Sequence, residues 1–549
     1  MNVFLKTKLW LLLSLLLPAC ATSSTLMVDV QRPTIPVLTL KRINPTIRID
    51  VRNPNGKPYT IRQMELSLEG TTQPDDIISI GLYGTGKDGM IDTSRVIYPM
   101  VSRTLTLPLN YQVDNMGETT SLWVAVMLKD EVTLSNRINI QCRSISSSAG
   151  NYRSKEAELT TPQRVGVALR QAYKDDVAVS RIPGLATSKE GTLFAIFDAR
   201  WNSGRDLQGD MDIALHRSFD KGKTWQPMQV ILDMKQWGGL PEKFNGVSDA
   251  SILVDENSGT LFVAGLWMHG ILDKESGKWI EGLDEQSDAW IHQWHDKGSQ
   301  PGYGVRQTSQ FLITQSTDNG DTWSEPINIT SSKREEWWLF APAPGHGITM
   351  SDGTLVFPTQ GRDSNGLPFS NITWSRDGGK TWRASNPAYD DVTECMVVEL
   401  TDGSLMLNMR DNRNRNNKTE NGRRVCITKD MGETWTEHPT SRNALIEPTC
   451  MASIHRHVYQ EESKQKSILL FSNPSSRVRR DKITLRASYD DGMTWKKSDS
   501  ILLDQYKGWG YSCLTSVDEE TIGILYESSQ AQLVYQEVKL KEILAKRNE

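Results

Sequence analysis

SFDKGKTW, Ser218–Trp225, is the stretch on which the reading of the fold turns, because the chain writes it again. STDNGDTW follows from Ser316, SRDGGKTW from Ser375, TKDMGETW from Thr428 and SYDDGMTW from Ser488. The five boxes stand 98, 59, 53 and 60 residues apart. The pattern S/T-x-D-x-G-x-T-W can satisfy a tight hairpin turn from within. Asp accepts backbone N–H bonds, Gly permits a positive φ, Ser and Thr hydroxyls bond neighbouring backbone, and Trp packs under the turn. Five copies cannot all line one active site, so the box is a structural fastener.

Strand-like segments recur in phase with it: GTLFAIFD from Gly191, GTLFVAGLW from Gly259, GTLVFPT from Gly353, GSLMLNMR from Gly403 and TIGILYE from Thr521. A period of fifty to sixty residues with strands between the boxes is that of a four-stranded propeller blade. The last segment has no box after it, which predicts a sixth blade closed by an early strand. The long first gap predicts an insertion in the polar run Lys274–Gln300. The expected fold is therefore all-β: a six-bladed β-propeller over residues 155–549, preceded by a small β-sandwich over 21–150. The sandwich is read from TIRIDV (Thr46–Val51) and SLWVAVML (Ser121–Leu128), with turn clusters at NPNGKP and GTGKDG between strands. Trp123 lies within an apolar strand, so a bracing role is expected of this part rather than glycan binding.

Residues 1–20 read as a leader: Lys6 and Lys8 precede LWLLLSLLL, and Leu17-Pro18-Ala19-Cys20 closes it. The cysteine after Ala19 resembles a bacterial lipoprotein signal with Cys20 lipidated, the alternative being plain secretion. A periplasmic, outer-membrane or cell-surface protein is the expectation. Five further cysteines, with no CxxC pair and no HExxH, signal neither a disulfide framework nor a metal site, and no cofactor is expected. A net charge of −5 argues against nucleic-acid binding.

The box resembles the Asp box (BNR repeat) of the bacterial sialidases, or neuraminidases, and further motifs support that likeness over roughly 165–530. Ser180-Arg181-Ile182-Pro183 is similar to the family's F/Y-R-I-P motif, with Ser in the aromatic's place. The resemblance implies exo-α-sialidase activity on sialylated glycans, glycoproteins or glycolipids, with Arg181 opening a triad that grips the sugar's carboxylate. A fork of guanidinium donors suits that anion. Arg410, ending the apolar GSLMLNMR, matches the second arginine. The third falls in Phe471–Arg486, where the R-x-D spacing favours Arg479 before Asp481, with Arg480 as the alternative and Arg477 a solvated residue.

By the same resemblance Tyr511 in GWGYSCL is the nucleophile, with Cys513 where the family has Asp, and Glu394 in VTECMVVEL is its base. Retaining glycosidases ordinarily attack with a carboxylate, sialidases being the tyrosine exception. An anionic nucleophile would be repelled by the substrate's own carboxylate, whereas a phenol is not. Its reference pKa of about 10 then requires a base. FDARWNSGRDLQGDMDI supplies Arg200 as a substrate contact and Asp206 as acid and later base, with Asp210 and Asp212 assigned to the next strand. Asp249 in VSDASIL matches an aspartate at the sugar's rim. The rival readings are a non-catalytic Asp-box propeller that binds glycans and an Asp-box endo-β-glucanase working with two carboxylates.

Overall fold

A computed structural model describes residues 26–114, 117–154, 161–273, 275–278, 280–292, 298–299, 302 and 308–547. The expected leader with Cys20, and part of the run after Asp273, lie outside the described residues. Among the described residues there is one α-helix, Leu540–Arg547; the rest of the regular structure is strands and four short 3-10 turns. The fold is all-β.

The N-terminal part forms two sheets. One runs in the order Met27–Gln31, Asn44–Arg52, Thr120–Leu128, Ile77–Thr85, Ile91–Ser102, the other Gly150–Arg153, Gln141–Ser147, Tyr59–Ser67, Thr106–Val113. Alternation places Tyr59, Ile61, Met64 and Leu66 inward, against Ile47, Ile49 and Val51 of the facing sheet. That is two half-buried sheets sharing one core. The same core continues without a break to Leu185, Phe197 and Tyr535. Val37–Thr39 leaves the first sheet to pair in parallel with Gln163–Arg170. Trp123 is fully buried. The N-terminal part thus shares its core with the sheets of the C-terminal part.

Beyond residue 160 six sheets succeed one another, each built around four antiparallel strands, with short extra strands added to the second, third and sixth. The first contains Val179–Thr187, Leu193–Arg200, Met211–Ser218 and Gln229–Leu232. The next four open on Val247–Val254, Leu339–Pro342, Val392–Glu399 and Ser453–Glu461. The sixth holds Ser512–Asp518, Thr521–Tyr526 and Leu533–Lys539, and its fourth strand is Gln163–Arg170, pairing Val167 with Tyr535. An early strand closes the last sheet, as the missing sixth box predicts. An extra hairpin, Ile271–Asp273 with Trp290–His292, accounts for the long first gap. The opening strand of the first sheet packs against those of both the second and the sixth.

The boxes sit in the turns after the third strand of each of the first five sheets. In the first, Thr224 donates its N–H (2.8 Å) and its hydroxyl (2.6 Å) to Asp220, and Gly222 donates its N–H to Ser218 Oγ at 2.8 Å. The same bonds recur around Asp318, Asp377, Asp430 and Asp490. Hydrogen bonds from Thr322, Thr381 and Thr434, the hydroxyl first, hold three of these carboxyls down at about 2.

Each of the first three boxes also touches the sheet before it. A Cβ on Gly222 would meet the Tyr535 ring of the sixth sheet at 2.1 Å, one on Gly320 would meet Phe194 of the first at 3.0 Å, and one on Gly379 would meet Phe262 of the second at 2.5 Å. The boxes are clips between neighbouring sheets, with no chemistry of their own. Gly222, at φ +88°, combines a left-handed backbone with that close approach, whereas Gly378 in the third box has φ +69° and open space around it. Gly222→Ala is therefore expected to cost about 3 kcal/mol or more and Gly378→Ala about 1 kcal/mol. Urea denaturation measures both, and equal losses would refute the clip.

Candidate active site

The candidate residues come together at one end of the six sheets. Arg181, Asp249 and Glu394 lie near the start of opening strands, and Tyr511 immediately precedes one. Arg200 and Arg410 lie at the ends of second strands, which run back to the same edge. In three opening strands the pairing register slips at the site, between Arg181 and Gly184, Ser248 and Ser251, and Val392 and Cys395. Ile182 and Asp249 take positive φ there, 60° and 57°. A register slip re-aims side chains out of the regular alternation, and here it turns them toward one another.

Tyr511 is 5% exposed. Its hydroxyl donates to Glu394 Oε1, while Arg410 Nη1 donates to the other Glu394 oxygen and, at 3.0 Å, to the phenol oxygen. Burial first, and the Glu394 carboxylate second, push the phenol well above its ordinary value, against the pull of Arg410 and Arg480. The tyrosine is therefore a neutral phenol whose proton already points at a carboxylate. Arg181 is held on its Nε edge by Glu527 at 2.5 Å and covered by the Trp509 ring, 4.3 Å from the guanidinium carbon. Glu527 is fully buried and also accepts the backbone N–H groups of Ile182 (3.1 Å) and Tyr511 (2.9 Å). One carboxylate thus fixes both Arg181 and the backbone of Tyr511.

The third arginine at the site is Arg480. Its guanidinium lies 5.5 Å from the centre of the Tyr511 ring and donates to the backbone carbonyls of Trp509 and Thr449, both at 3.1 Å. The spacing that favours Arg479 is corrected by the structure: Arg479 is 70% exposed and pairs with Asp481 at 3.0 Å. The R-x-D pattern records that surface ion pair and nothing in the cleft. Arg477 bonds Asn421 instead.

Arg200, 1% exposed, donates to Asp198 at 3.0 Å and to Asp206 at 2.9 Å. Asp206 sits on the loop after Arg200 with its side chain 74% exposed, open to any substrate in the cleft. Burial, with Asp206, Asp198 and Glu394 nearby, lifts the Asp249 carboxyl well above the usual range. Asp212 belongs to the next strand and accepts the Trp201 indole N–H at 2.7 Å, which makes it structural. The five cysteines among the described residues are buried free thiols, and those residues contain no cluster of three or more metal-ligating side chains. A separate cavity of about 1000 Å3 opens at the far ends of the same opening strands, lined by Thr187, Glu399 and Thr515, away from this chemistry.

Sequence reasoning overlooked Asp198, Glu527 and Trp509. The first two carry the signal that singles out Arg410: a charged residue at the end of an apolar strand, LFAIFD and TIGILYE, which is costly to bury without a partner.

Comparison with known proteins bears on this geometry. A family model described as a BNR repeat-like domain matches residues 182–527, and one described as the N-terminal domain of BNR-repeat neuraminidase matches 26–110. A sialidase of Bacteroides fragilis is 38% identical over 96% of this chain and 97% of its own. The chain belongs to the BNR-repeat sialidase family. A solved structure titled Hadza microbial sialidase Hz136 superposes with a TM-score of 0.81 at 34% identity, covering 93% of this sialidase and 99% of that chain. A Trypanosoma rangeli sialidase, at 22% identity and a TM-score of 0.51 over 70% of this chain and 59% of its own, shares the fold. As a member of this family the protein is a glycoside hydrolase of the exo-α-sialidase class.

Proposed function

We propose that this sialidase releases terminal sialic acid from glycoproteins, glycolipids or free glycans by double displacement with net retention, with Tyr511 as nucleophile. The observation that carries the reading is the Tyr511–Glu394 hydrogen bond, set among three arginines. Arg181, Arg410 and Arg480 receive the substrate carboxylate and orient the ring. The Tyr511 proton passes to Glu394 as the phenol oxygen bonds to the anomeric carbon. The bond from that carbon to the leaving oxygen breaks, and Asp206 protonates the departing group. Water then gives a proton to Asp206 and attacks the same carbon. The Tyr511–carbon bond breaks, and the phenol recovers its proton from Glu394. A non-catalytic glycan-binding reading leaves a buried phenol hydrogen-bonded to a carboxylate without a purpose. We read the six sheets as blades of a six-bladed propeller with the site at its centre, and residues 21–150 as its bracing sandwich.

The test is release of a fluorophore from an aryl α-sialoside, followed by trapping with a 2,3-difluorinated sialic acid. Covalent label on the peptide carrying Tyr511 is the expected result. Label on a carboxylate peptide, or no fluorophore release, would overturn the assignment.

A further inference from the structure

We infer that Asp198 is a positioning residue of the reaction, acting through Arg200 to hold the catalytic acid in place. The inference rests on the assignment of Asp206 as the acid.

Asp206 stands on an exposed loop, and its tie to the rigid frame is Arg200 Nη2 at 2.9 Å. Arg200 gathers the rest of that loop as well, donating Nη1 to the carbonyls of Gly204 (3.3 Å) and Arg205 (3.2 Å). Beside the packing of Leu207 against the cluster that holds Leu266 and Met268, the hydrogen bonds that place the acid depend on where this one guanidinium points. Asp198 decides that. Its Oδ2 accepts Arg200 Nε at 3.3 Å and Nη2 at 3.0 Å, and from the opening strand of the next sheet it accepts Ser248 Oγ at 2.7 Å. Asp198 is fully buried, and its Oδ1 has no hydrogen-bond partner. A carboxylate in that setting is costly unless it answers a specific charge.

The charge it answers is that of Arg200. An uncompensated guanidinium beside Asp206 would favour the carboxylate form, which cannot donate a proton. Asp198 offsets it from the other side. The groups facing Asp198 are Arg200 on its own strand, Asp206 on the loop, and Ser248 and Asp249 on the neighbouring strand. Burial raises the Asp198 carboxyl to about 6, with Arg200 and Ser248 pulling it back.

The unpartnered Oδ1 makes a clean substitution available. In Asp198→Asn the amide oxygen can keep all three bonds while the NH2 takes the orphan position, so the charge is removed with the geometry kept, at a cost in stability for the unpaired NH2. The test compares two substrates. A sialyl-lactose must expel a sugar alkoxide and needs the acid, whereas an aryl sialoside expels a stable phenolate and hardly does. Asp198→Asn is expected to lower kcat on sialyl-lactose about 100-fold, the low end of what general acid catalysis contributes, and to lower kcat on the aryl sialoside much less, with KM little changed on both. Ser248→Ala, which removes one support of Asp198, should show the same selectivity more weakly and stands in if Asp198→Asn does not fold. Equal losses on the two substrates would mean a structural role only and would overturn the inference. Asp206→Asn is the control: if it too fails to discriminate, the acid assignment is what has failed.

Discussion

Tyr511→Phe is expected to reduce kcat by at least about 10³-fold, a barrier increase of roughly 4 kcal/mol or more, while the protein stays folded. In the proposed mechanism the phenol oxygen is the atom that bonds to the anomeric carbon, so its removal takes away the nucleophile itself. The ring is another matter. It packs among Ile182, Met396, Met451 and Phe471 in a core cluster, and phenylalanine fills the same space. Removing the hydroxyl leaves Glu394 still paired with Arg410, so no buried carboxylate is stranded. Melting temperature should therefore move by only a few degrees. Turnover within tenfold of the parent, measured on an aryl sialoside with enzyme of matched melting temperature, would remove Tyr511 from the reaction.

The second large effect separates two adjacent arginines. Arg480→Ala should lower kcat/KM about 100-fold, since a hydrogen bond to a charged group contributes roughly 1.5–3 kcal/mol and the proposed mechanism has Arg480 receive the substrate's carboxylate. Arg479→Ala should change it less than about twofold, because an exposed ion pair such as Arg479–Asp481 contributes little. Steady-state kinetics on both variants decide the matter. The reverse ranking would return the third position to Arg479 and remove Arg480 from the carboxylate grip.

The architecture was legible because it is written periodically. Five boxes with strands in phase implied repeated four-stranded sheets, and the missing sixth box implied an early strand in the last one. Both rest on local chemistry, a turn that satisfies its own hydrogen bonds. The residues that gather at the candidate site were legible in two ways: Arg410 as a charge ending an apolar strand, and Tyr511 through the likeness of GWGYSCL to the family's motif. Arg479 illustrates the limit. Spacing along the chain cannot tell which side of a turn a guanidinium leaves from, and Arg480 differs from it only in pointing inward across Trp509 and Thr449. Glu527 ends an apolar strand as Arg410 does, but nothing in the sequence signals what it pairs with. Its partner Arg181 lies 346 residues away, and no local pattern announces a pairing across that distance.

The strand Gln163–Arg170, which completes the sixth sheet beside Leu533–Lys539, has a consequence for how the molecule comes into being. The first of these segments emerges from the ribosome hundreds of residues ahead of the second, and it must wait unzipped until its mate arrives. Contacts of such long range are entropically slow to form. Arg181 and Glu527 stand 346 residues apart, so the ion pair that aims the arginine belongs to the same late-forming class of contact. The guanidinium is thus aimed only once nearly the whole chain has been made.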